Sequence, residues 1–139
     1  MRYKRFGNKF VVRLDRGEEI VETLKRFCRE NNVKLGFIIG VGAVDEAVVG
    51  FFDVKSKEYH KKVLTEGFEV APLYGIISTM DGEVYLHVHV NLCDSDHKSF
   101  GGHLNSAVVS ATFEAIVDVI DGDVGRVFNE NLGLNILDI

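Results

Sequence analysis

The sequence predicts an α+β domain with a mostly antiparallel sheet and one main helix. A single stretch, about 17–31, spaces its apolar residues as an amphipathic helix does, while most of the chain after residue 35 alternates apolar and polar residues as strands do. Asp-Gly pairs at 81–82 and 121–122 are typical of tight turns between strands. With 139 residues, 46% of them hydrophobic, the chain is predicted to form one domain, 1–139, with its own core.

Two short strands are predicted at the start of the chain, over 2–6 and 9–14, around a tight turn or bulge at Gly7-Asn8. This region is rich in basic residues, which favours an edge strand because lysine and arginine discourage pairing between sheet edges. A contact with an anion or a nucleic acid is the alternative. The basic residues are Arg2, Lys4, Arg5, Lys9 and Arg13.

The helix over 17–31 is the element that the pattern indicates most strongly. Asp15 followed by Glu18 is an acidic variant of a capping start signal, and Asn31-Asn32 is expected to end the helix. The apolar stripe consists of Ile20, Val21, Leu24, Phe27 and Cys28. Cys28 is therefore expected in the core.

Further strands are predicted over 35–41, 43–53, 57–65, 70–79 and 83–92. Glycines interrupt the first of them, and Gly40-Val41-Gly42 superficially matches part of a dinucleotide-binding fingerprint. No helix pattern follows these glycines, so we interpret them as a bend or a close approach of the backbone.

The last third of the chain is predicted to begin with a loop over 93–101 and a helical turn over 103–109. Residues 110–120 alternate and are rich in β-branched side chains, which favours a strand, with a helix as the competing interpretation. A short strand is expected near 124–128.

Composition excludes several functional classes. The net charge of −5 and the pI of about 5.5 argue against DNA binding by the chain alone, because such domains usually carry a basic excess. No apolar run reaches the roughly 18 residues of a membrane span, and the charged start lacks a signal-peptide core. Two distant cysteines, Cys28 and Cys93, are not a disulfide framework. We therefore expect a cytoplasmic protein.

The segment 85–91 carries the strongest chemical signal. His87 and His89 lie two residues apart on a predicted strand, so their side chains share a face. His103 follows a glycine pair, and three histidines leave a fourth position on a metal ion open for water or substrate. Imidazole suits Zn²⁺ best, although Ni²⁺, Cu²⁺ and Fe²⁺ are alternatives. The competing interpretation is an ordinary polar strand face.

Other residues are weaker candidates. His60 and His97 are expected on the surface, and Cys93 is expected to be a semi-buried thiol rather than a ligand. A carboxylate near the ion would serve as acid or base, and the candidates are Glu69, Glu83 and Glu114. Arg126 could clamp a carboxylate substrate. For each of these, a surface ion pair or a structural hydrogen bond is the alternative.

Several motifs occur together over almost the full length of the chain. They are 50–53 (GFFD), 67–70 (GFEV), 75–78 (GIIS) with 81–82 (DG), 86–90 (LHVHV) with 101–104 (GGHL), and 126–134 (RVFNENLGL). In this order and spacing the chain resembles the plants-and-prokaryotes conserved (PPC) domain family.

The resemblance implies a compact, mostly antiparallel α+β domain that assembles as a homotrimer, related in fold to the zinc enzyme acetolactate decarboxylase. It also implies that His87, His89 and His103 match the suspected metal ligands of prokaryotic members. Plant members place an AT-hook before the domain, whereas this sequence starts at the domain and contains no Arg-Gly-Arg-Pro core. The resemblance therefore does not carry DNA binding over directly.

The residues and the resemblance together predict a cytoplasmic, homotrimeric protein that binds one divalent transition metal, with Zn²⁺ the best fit. A small-molecule activity, such as hydrolysis or carboxylate-directed lyase chemistry, is one use of the metal that the sequence leaves open. Whether it is an enzyme stays open at this stage. One alternative is a DNA-associated regulatory protein, as in plants. The other is a non-catalytic trimer in which a metal or small ligand serves structure or sensing.

Overall fold

The computed structural model describes residues 1–139 and contains nine strands and one α-helix, which confirms the predicted α+β class. In chain order the elements are β1 (Arg2–Phe6), β2 (Lys9–Asp15), α1 (Ile20–Glu30), β3 (Gly36–Asp53), β4 (Glu58–Leu64), β5 (Phe68–Met80), β6 (Glu83–Cys93), β7 (Ser99–Val119), β8 (Arg126–Asn129) and β9 (Leu134–Leu137). The chain has no helix with the length and hydrophobicity that crossing a bilayer requires.

Seven strands form one antiparallel sheet in the order β1-β2-β7-β6-β5-β3-β4, and an additional pairing of β7 with β3 closes β3, β5, β6 and β7 into a ring. Strand β1 lies at one edge, as its basic residues predicted, and β4 lies at the other. The buried faces of the strands and the stripe of α1 form a single core of 28 buried hydrophobic residues. Closure removes two sheet edges and leaves the opposite faces of the strands outside.

Helix α1 begins later than predicted, at Ile20 rather than near residue 17. The Glu19 side chain caps it by accepting hydrogen bonds from the amides of Val21 and Glu22. The predicted Asp15–Glu18 pair does form, with the Asp15 amide donating to the Glu18 carboxylate at 2.9 Å, but it closes the turn before the helix. Hydrogen bonds from this turn to Val109 hold it in place, so a tertiary contact shifts the helix start.

The predicted helical turn over 103–109 is wrong, because this segment lies inside the 21-residue strand β7. Its backbone pairs with β3 along nearly the whole length, and these partners are distant in the sequence. The strands predicted over 35–41 and 43–53 likewise form one strand, β3, with register shifts at Gly40–Gly42 and beyond. No helix follows these glycines, in agreement with the rejected dinucleotide fingerprint.

The hairpin of β8 and β9 forms a small second sheet and contacts the rest of the chain at both of its ends. At its base, the Thr79 amide donates to the carbonyl of Val124 at 3.2 Å. At its tip, the Lys57 ammonium donates to the carbonyl of Glu130 at 2.8 Å. Strand β8 corresponds to the one predicted near 124–128, whereas β9 was not predicted.

We expect Phe113→Ala to lower the free energy of unfolding by about 3–5 kcal/mol, because its ring is fully buried and its removal leaves a cavity. Phe6→Ala is the matched control, since Phe6 is 62% exposed, and we expect it to change stability by less than about 0.5 kcal/mol. Urea unfolding of both variants measures the difference. Similar losses in the two variants would contradict the packing described here.

Candidate metal centre

Strand β6 positions two of the three histidines. Its alternation buries Leu86, Val88 and Val90 and leaves His87 and His89 exposed on the opposite face, as the sequence predicted. Strand β7 then supplies the third histidine, because His103 lies directly opposite His89 in the β6–β7 register. All three side chains therefore project from the outer face of the closed ring.

The three imidazoles converge. The Nε2 atoms of His87 and His89 lie 3.2 Å apart, and one ring nitrogen from each of the three histidines lies within 4.8 Å of the others. A tetrahedral Zn²⁺ with Zn–N bonds of about 2.0–2.1 Å places its ligand nitrogens about 3.3 Å apart. The observed spacing of the first pair suits a shared ion. It also suits a hydrogen bond between the two rings, so the convergence of the third ring is the more informative feature.

Two local features bring His103 to this position. In the turn between β6 and β7, the Asp94 carboxylate accepts hydrogen bonds from the amides of Asp96 and Lys98 and so sets the register. Just before His103, a Cβ at Gly102 would lie 2.6 Å from the carbonyl oxygen of Gly50 on β3. Glycine therefore allows the close approach of β7 to β3 at this position.

Electrostatics keep two of the histidines neutral. Partial burial, together with the positive charges that His87, His89 and Arg126 carry when protonated, lowers the pKa of His103 from an ordinary 6.5 to about 4. Partial burial and the charge of Arg126 also lower the pKa of His87. A metal ion binds only the neutral imidazole. The lowered pKa values of His87 and His103 therefore favour the form of these two rings that binds metal.

A tyrosine and an asparagine flank His103, and no sequence pattern marks either residue for this site. The ring of Tyr59 on β4 meets the His103 ring edge to face, with centroids 6.5 Å apart. Its phenol oxygen accepts a hydrogen bond from the Asn105 amide at 2.6 Å, and the carbonyl oxygen of Asn105 is buried without a partner. A Cβ at Gly50 would overlap the phenol, so glycine at this position makes room for Tyr59.

The remaining histidines and cysteines lie apart from the cluster. His60 is exposed on β4, with Nε2 3.8 Å from the Glu58 carboxylate, and His97 is exposed in the turn before β7. Both positions confirm the predicted surface locations. Cys28 is buried, and burial raises the pKa of its thiol to about 12. Cys93 is semi-buried, with its sulfur 3.5 Å from the Ser99 hydroxyl.

The structure does not bring the three candidate carboxylates to the histidines. Glu83 pairs with Met80 and Glu69 with Cys93, so each is displaced from the nearer histidine by four residues of strand, or about 13 Å. Glu114 lies opposite Val41 in the far half of β7. A carboxylate near the ion must share the sheet face of the histidines, but the distance along the strands separates these three residues from the histidines.

Arg126, in contrast, lies beside the cluster. Its guanidinium carbon is 4.6 Å from the ring centroid of Tyr85, which precedes His87 on the same face of β6. Its Nε donates to the Ser78 hydroxyl and its Nη1 to the carbonyl of Asn135, both at 2.8 Å. Tyr85 could have been found from the sequence, because it lies two residues before His87 and therefore on the same face of the predicted strand.

Both the sequence and the fold of this chain are similar to those of known proteins. The model of the Plants and Prokaryotes Conserved (PCC) domain matches residues 1–121. The chain belongs to this family. The match includes all three histidines, whereas the β8–β9 hairpin that carries Arg126 lies beyond it.

Solved structures agree with this assignment. A protein from Bacteroides thetaiotaomicron, whose name assigns it provisionally to DNA binding, is 39% identical with a TM-score of 0.96, covering 99% of this chain and 96% of its own. A metal-containing protein from Archaeoglobus fulgidus is 34% identical with a TM-score of 0.89, covering 100% and 99%. A plant- and prokaryote-conserved protein from Pyrococcus horikoshii is 27% identical with a TM-score of 0.87, covering 99% and 94%.

Two more distant similarities concern larger proteins. The bifunctional protein GlmU from a Synechococcus strain is 28% identical over 109 residues, and the match covers 78% of this chain but only 16% of that protein. Acetolactate decarboxylase from Bacillus subtilis is 13% identical with a TM-score of 0.53, covering 79% of this chain and 52% of its own. This last similarity concerns the fold alone and confirms the predicted structural relation.

We expect the free energy of unfolding of the metal-free protein to fall as the pH drops from 6.5 to about 4. In this window the unfolded chain binds a proton on His103 that the folded chain does not, since folding lowers that pKa. The stability present above pH 6.5 is therefore lost towards pH 4. Urea unfolding at several pH values measures this loss.

His103→Gln should flatten the pH profile of stability, whereas His60→Gln, at an exposed histidine outside the cluster, should leave it unchanged. Carboxylates titrate at the acidic end in all three proteins, so the difference between profiles is the relevant quantity. Identical profiles for wild type and His103→Gln would contradict the described burial of this imidazole.

Proposed function

We propose that this chain is a cytoplasmic protein that binds one divalent transition metal through His87, His89 and His103. The convergence of three ring nitrogens within 4.8 Å carries the proposal. The low pKa of His103 and the lowered pKa of His87 support it, because neutral imidazoles are the form that binds metal. The name of the Archaeoglobus relative, a metal-containing protein at 34% identity, supports it independently.

Zinc is the metal that we propose. Three imidazoles form a borderline-soft donor set that suits Zn²⁺, and the 3.2 Å separation between His87 and His89 agrees with tetrahedral coordination. A bound Zn²⁺ would supply Lewis acidity at an open position. Cys28 and Cys93 are both free thiols, which agrees with a reducing cytoplasm.

A site open to small molecules fits better than a purely structural one. Structural zinc sites are closed by four protein ligands, whereas only three ligand residues converge here. His87 and His89 are also exposed in the isolated chain. We therefore propose small-molecule binding at the metal, with hydrolysis or lyase chemistry as the reaction classes to screen.

We further propose that the protein is a homotrimer. An exposed apolar sheet face supports this assembly, because soluble monomers rarely leave large contiguous apolar patches uncovered. The face is continuous through the strand register, and its seven side chains are between 39% and 55% exposed. They are Val11, Phe37, Ile39, Val41, Tyr74, Ile76 and Ile116.

This apolar face is contiguous with the metal centre. Ile76 is the cross-strand neighbour of His87, and Tyr74 is that of His89. A second copy of the chain seated on this face would therefore lie beside the histidines. We propose that the metal sites of the trimer lie near its subunit boundaries.

DNA binding is the weaker alternative. The name of the Bacteroides relative favours it, but the net charge of −5 opposes the electrostatic attraction on which such binding depends. Two of the basic residues near the N-terminus are already in ion pairs, Lys9 with Asp118 and Arg13 with Asp15. Their position at and beside edge strand β1 gives them a role in protecting that edge.

We expect protein purified without an affinity tag or chelator to contain about one transition metal ion per chain. The variant His87→Ala/His103→Ala should lose it, with an affinity for Zn²⁺ lowered more than 100-fold, since even the loss of an outer partner costs about 10–100-fold. Elemental analysis and Zn²⁺ titration measure both quantities.

The matched control is His60→Ala/His97→Ala, which removes the same number of imidazoles from the surface and should leave metal content unchanged. If wild type contains no metal and takes up no Zn²⁺, or if both double variants lose metal equally, the three-histidine site is wrong.

We expect light scattering to give a mass of three chains of 15.5 kDa each. Ile39→Lys, at the centre of the apolar face, should shift this mass towards that of one chain, because a buried unpaired ammonium is strongly unfavourable at an interface. Phe6→Lys places the same charge on an exposed apolar residue of β1 and should not. A monomeric wild type, or a trimer unaffected by Ile39→Lys, would refute the assignment of this face.

A further inference from the structure

The guanidinium of Arg126 is a cation without an acidic partner. Its two protein acceptors, the Ser78 hydroxyl and the carbonyl of Asn135, are both neutral. No carboxylate oxygen lies within 4 Å of it, although eight pairs of lysine, arginine or the N-terminus with a carboxylate elsewhere in the chain meet that distance. Partial burial also lowers the pKa of the guanidinium. A partly buried charge without a counterion is an unusual arrangement.

The position of this charge is set by the fold rather than by chance contact. Ser78 pairs with Tyr85 across β5 and β6, and the guanidinium stacks on the Tyr85 ring while hydrogen-bonding to Ser78. Tyr85 is followed two residues later by His87 on the same face. Because the guanidinium stacks on Tyr85, it lies on the same side of the sheet as the histidines.

The guanidinium retains free donors. Of its five N–H groups, one on Nε and one on Nη1 are used, so both on Nη2 and the second on Nη1 remain. Neighbouring N–H groups of this kind match the two oxygens of a carboxylate in a bidentate pair. The hydrogen bonds to Ser78 and Asn135 and the stacking on Tyr85 hold the fork in one orientation. This preorganisation lowers the entropic cost of binding.

Charge balance indicates the missing component. Three neutral imidazoles with a divalent cation, plus one guanidinium, carry a total charge of +3, with no acidic residue in the cluster to offset it. We propose that Arg126 is the anion-binding residue of this site and that the ligand is a small carboxylate. This inference rests on the proposed metal site and names the class of molecule that the site accepts.

The test uses the full chain loaded with Co²⁺, glycolate as the probe, and glycolamide as its neutral analogue of nearly the same shape. Calorimetric titration gives the dissociation constant, and the visible spectrum of the bound Co²⁺ reports whether the probe reaches the metal. We expect glycolate to bind and to change the spectrum, and glycolamide to bind at least tenfold more weakly.

Arg126→Gln should raise the dissociation constant for glycolate at least tenfold, while the metal content stays at the wild-type value. Arg126→Lys keeps the charge but loses the fork, and should give an intermediate constant. The matched control Arg2→Gln removes a cation from edge strand β1 and should bind glycolate as wild type does. If Arg126→Gln fails to fold, Arg126→Lys carries the test, and a dissociation constant equal to that of wild type would overturn the proposal.

The outcomes separate the two proposals. A wild type that contains no metal and takes up neither Zn²⁺ nor Co²⁺ defeats the metal site itself. Three results with metal-loaded protein would contradict this inference alone. The protein does not bind glycolate, it binds glycolamide equally well, or its dissociation constant for glycolate is unchanged in Arg126→Gln. Tighter binding of inorganic phosphate than of glycolate would overturn the carboxylate class while keeping Arg126 as an anion-binding residue.

Discussion

The site depends on the register of strand β7 between its two neighbours. The pairing with β6 sets His103 opposite His89, and the pairing with β3 holds the same segment from the other side. Because side chains alternate along a strand, a slip of one residue would turn His103 into the core and break the cluster. Gly102 makes this double pairing feasible, since any larger side chain would collide with the carbonyl of Gly50.

Electrostatics give the site its chemical character. Burial and neighbouring cationic groups favour neutral imidazoles at His87 and His103, which is the state that binds metal. The same region holds the guanidinium of Arg126, which has no acidic partner. The charge of a bound metal ion would therefore add to the charge of Arg126 on the same face of the sheet. Anionic small molecules would then bind more favourably than neutral ones of the same shape. Because no protein carboxylate lies in the cluster, this preference for a negative charge comes from the cations of the site alone.

Two features of the outer sheet face link the centre to its surroundings. The apolar side chains of β3 and β5 continue the rows that end on His87 and His89, so an assembly through this face would also shield the centre from water. On the other side, the β8–β9 hairpin supplies Arg126 from outside the region that the family model matches. The three histidines and the proposed anion-binding residue therefore come from different parts of the chain.

The sequence by itself determined the fold class, the main helix and the shared face of His87 and His89, because all three follow from local periodicity. It also indicated His103, through the glycine pair before it. Only the tertiary structure decided that 103–109 is a strand, that Glu69, Glu83 and Glu114 lie away from the centre, and that Tyr59 and Arg126 lie beside it. These facts depend on pairing between strands that are distant in the chain, and the alternation within one strand does not show which other strand it pairs with or in which register.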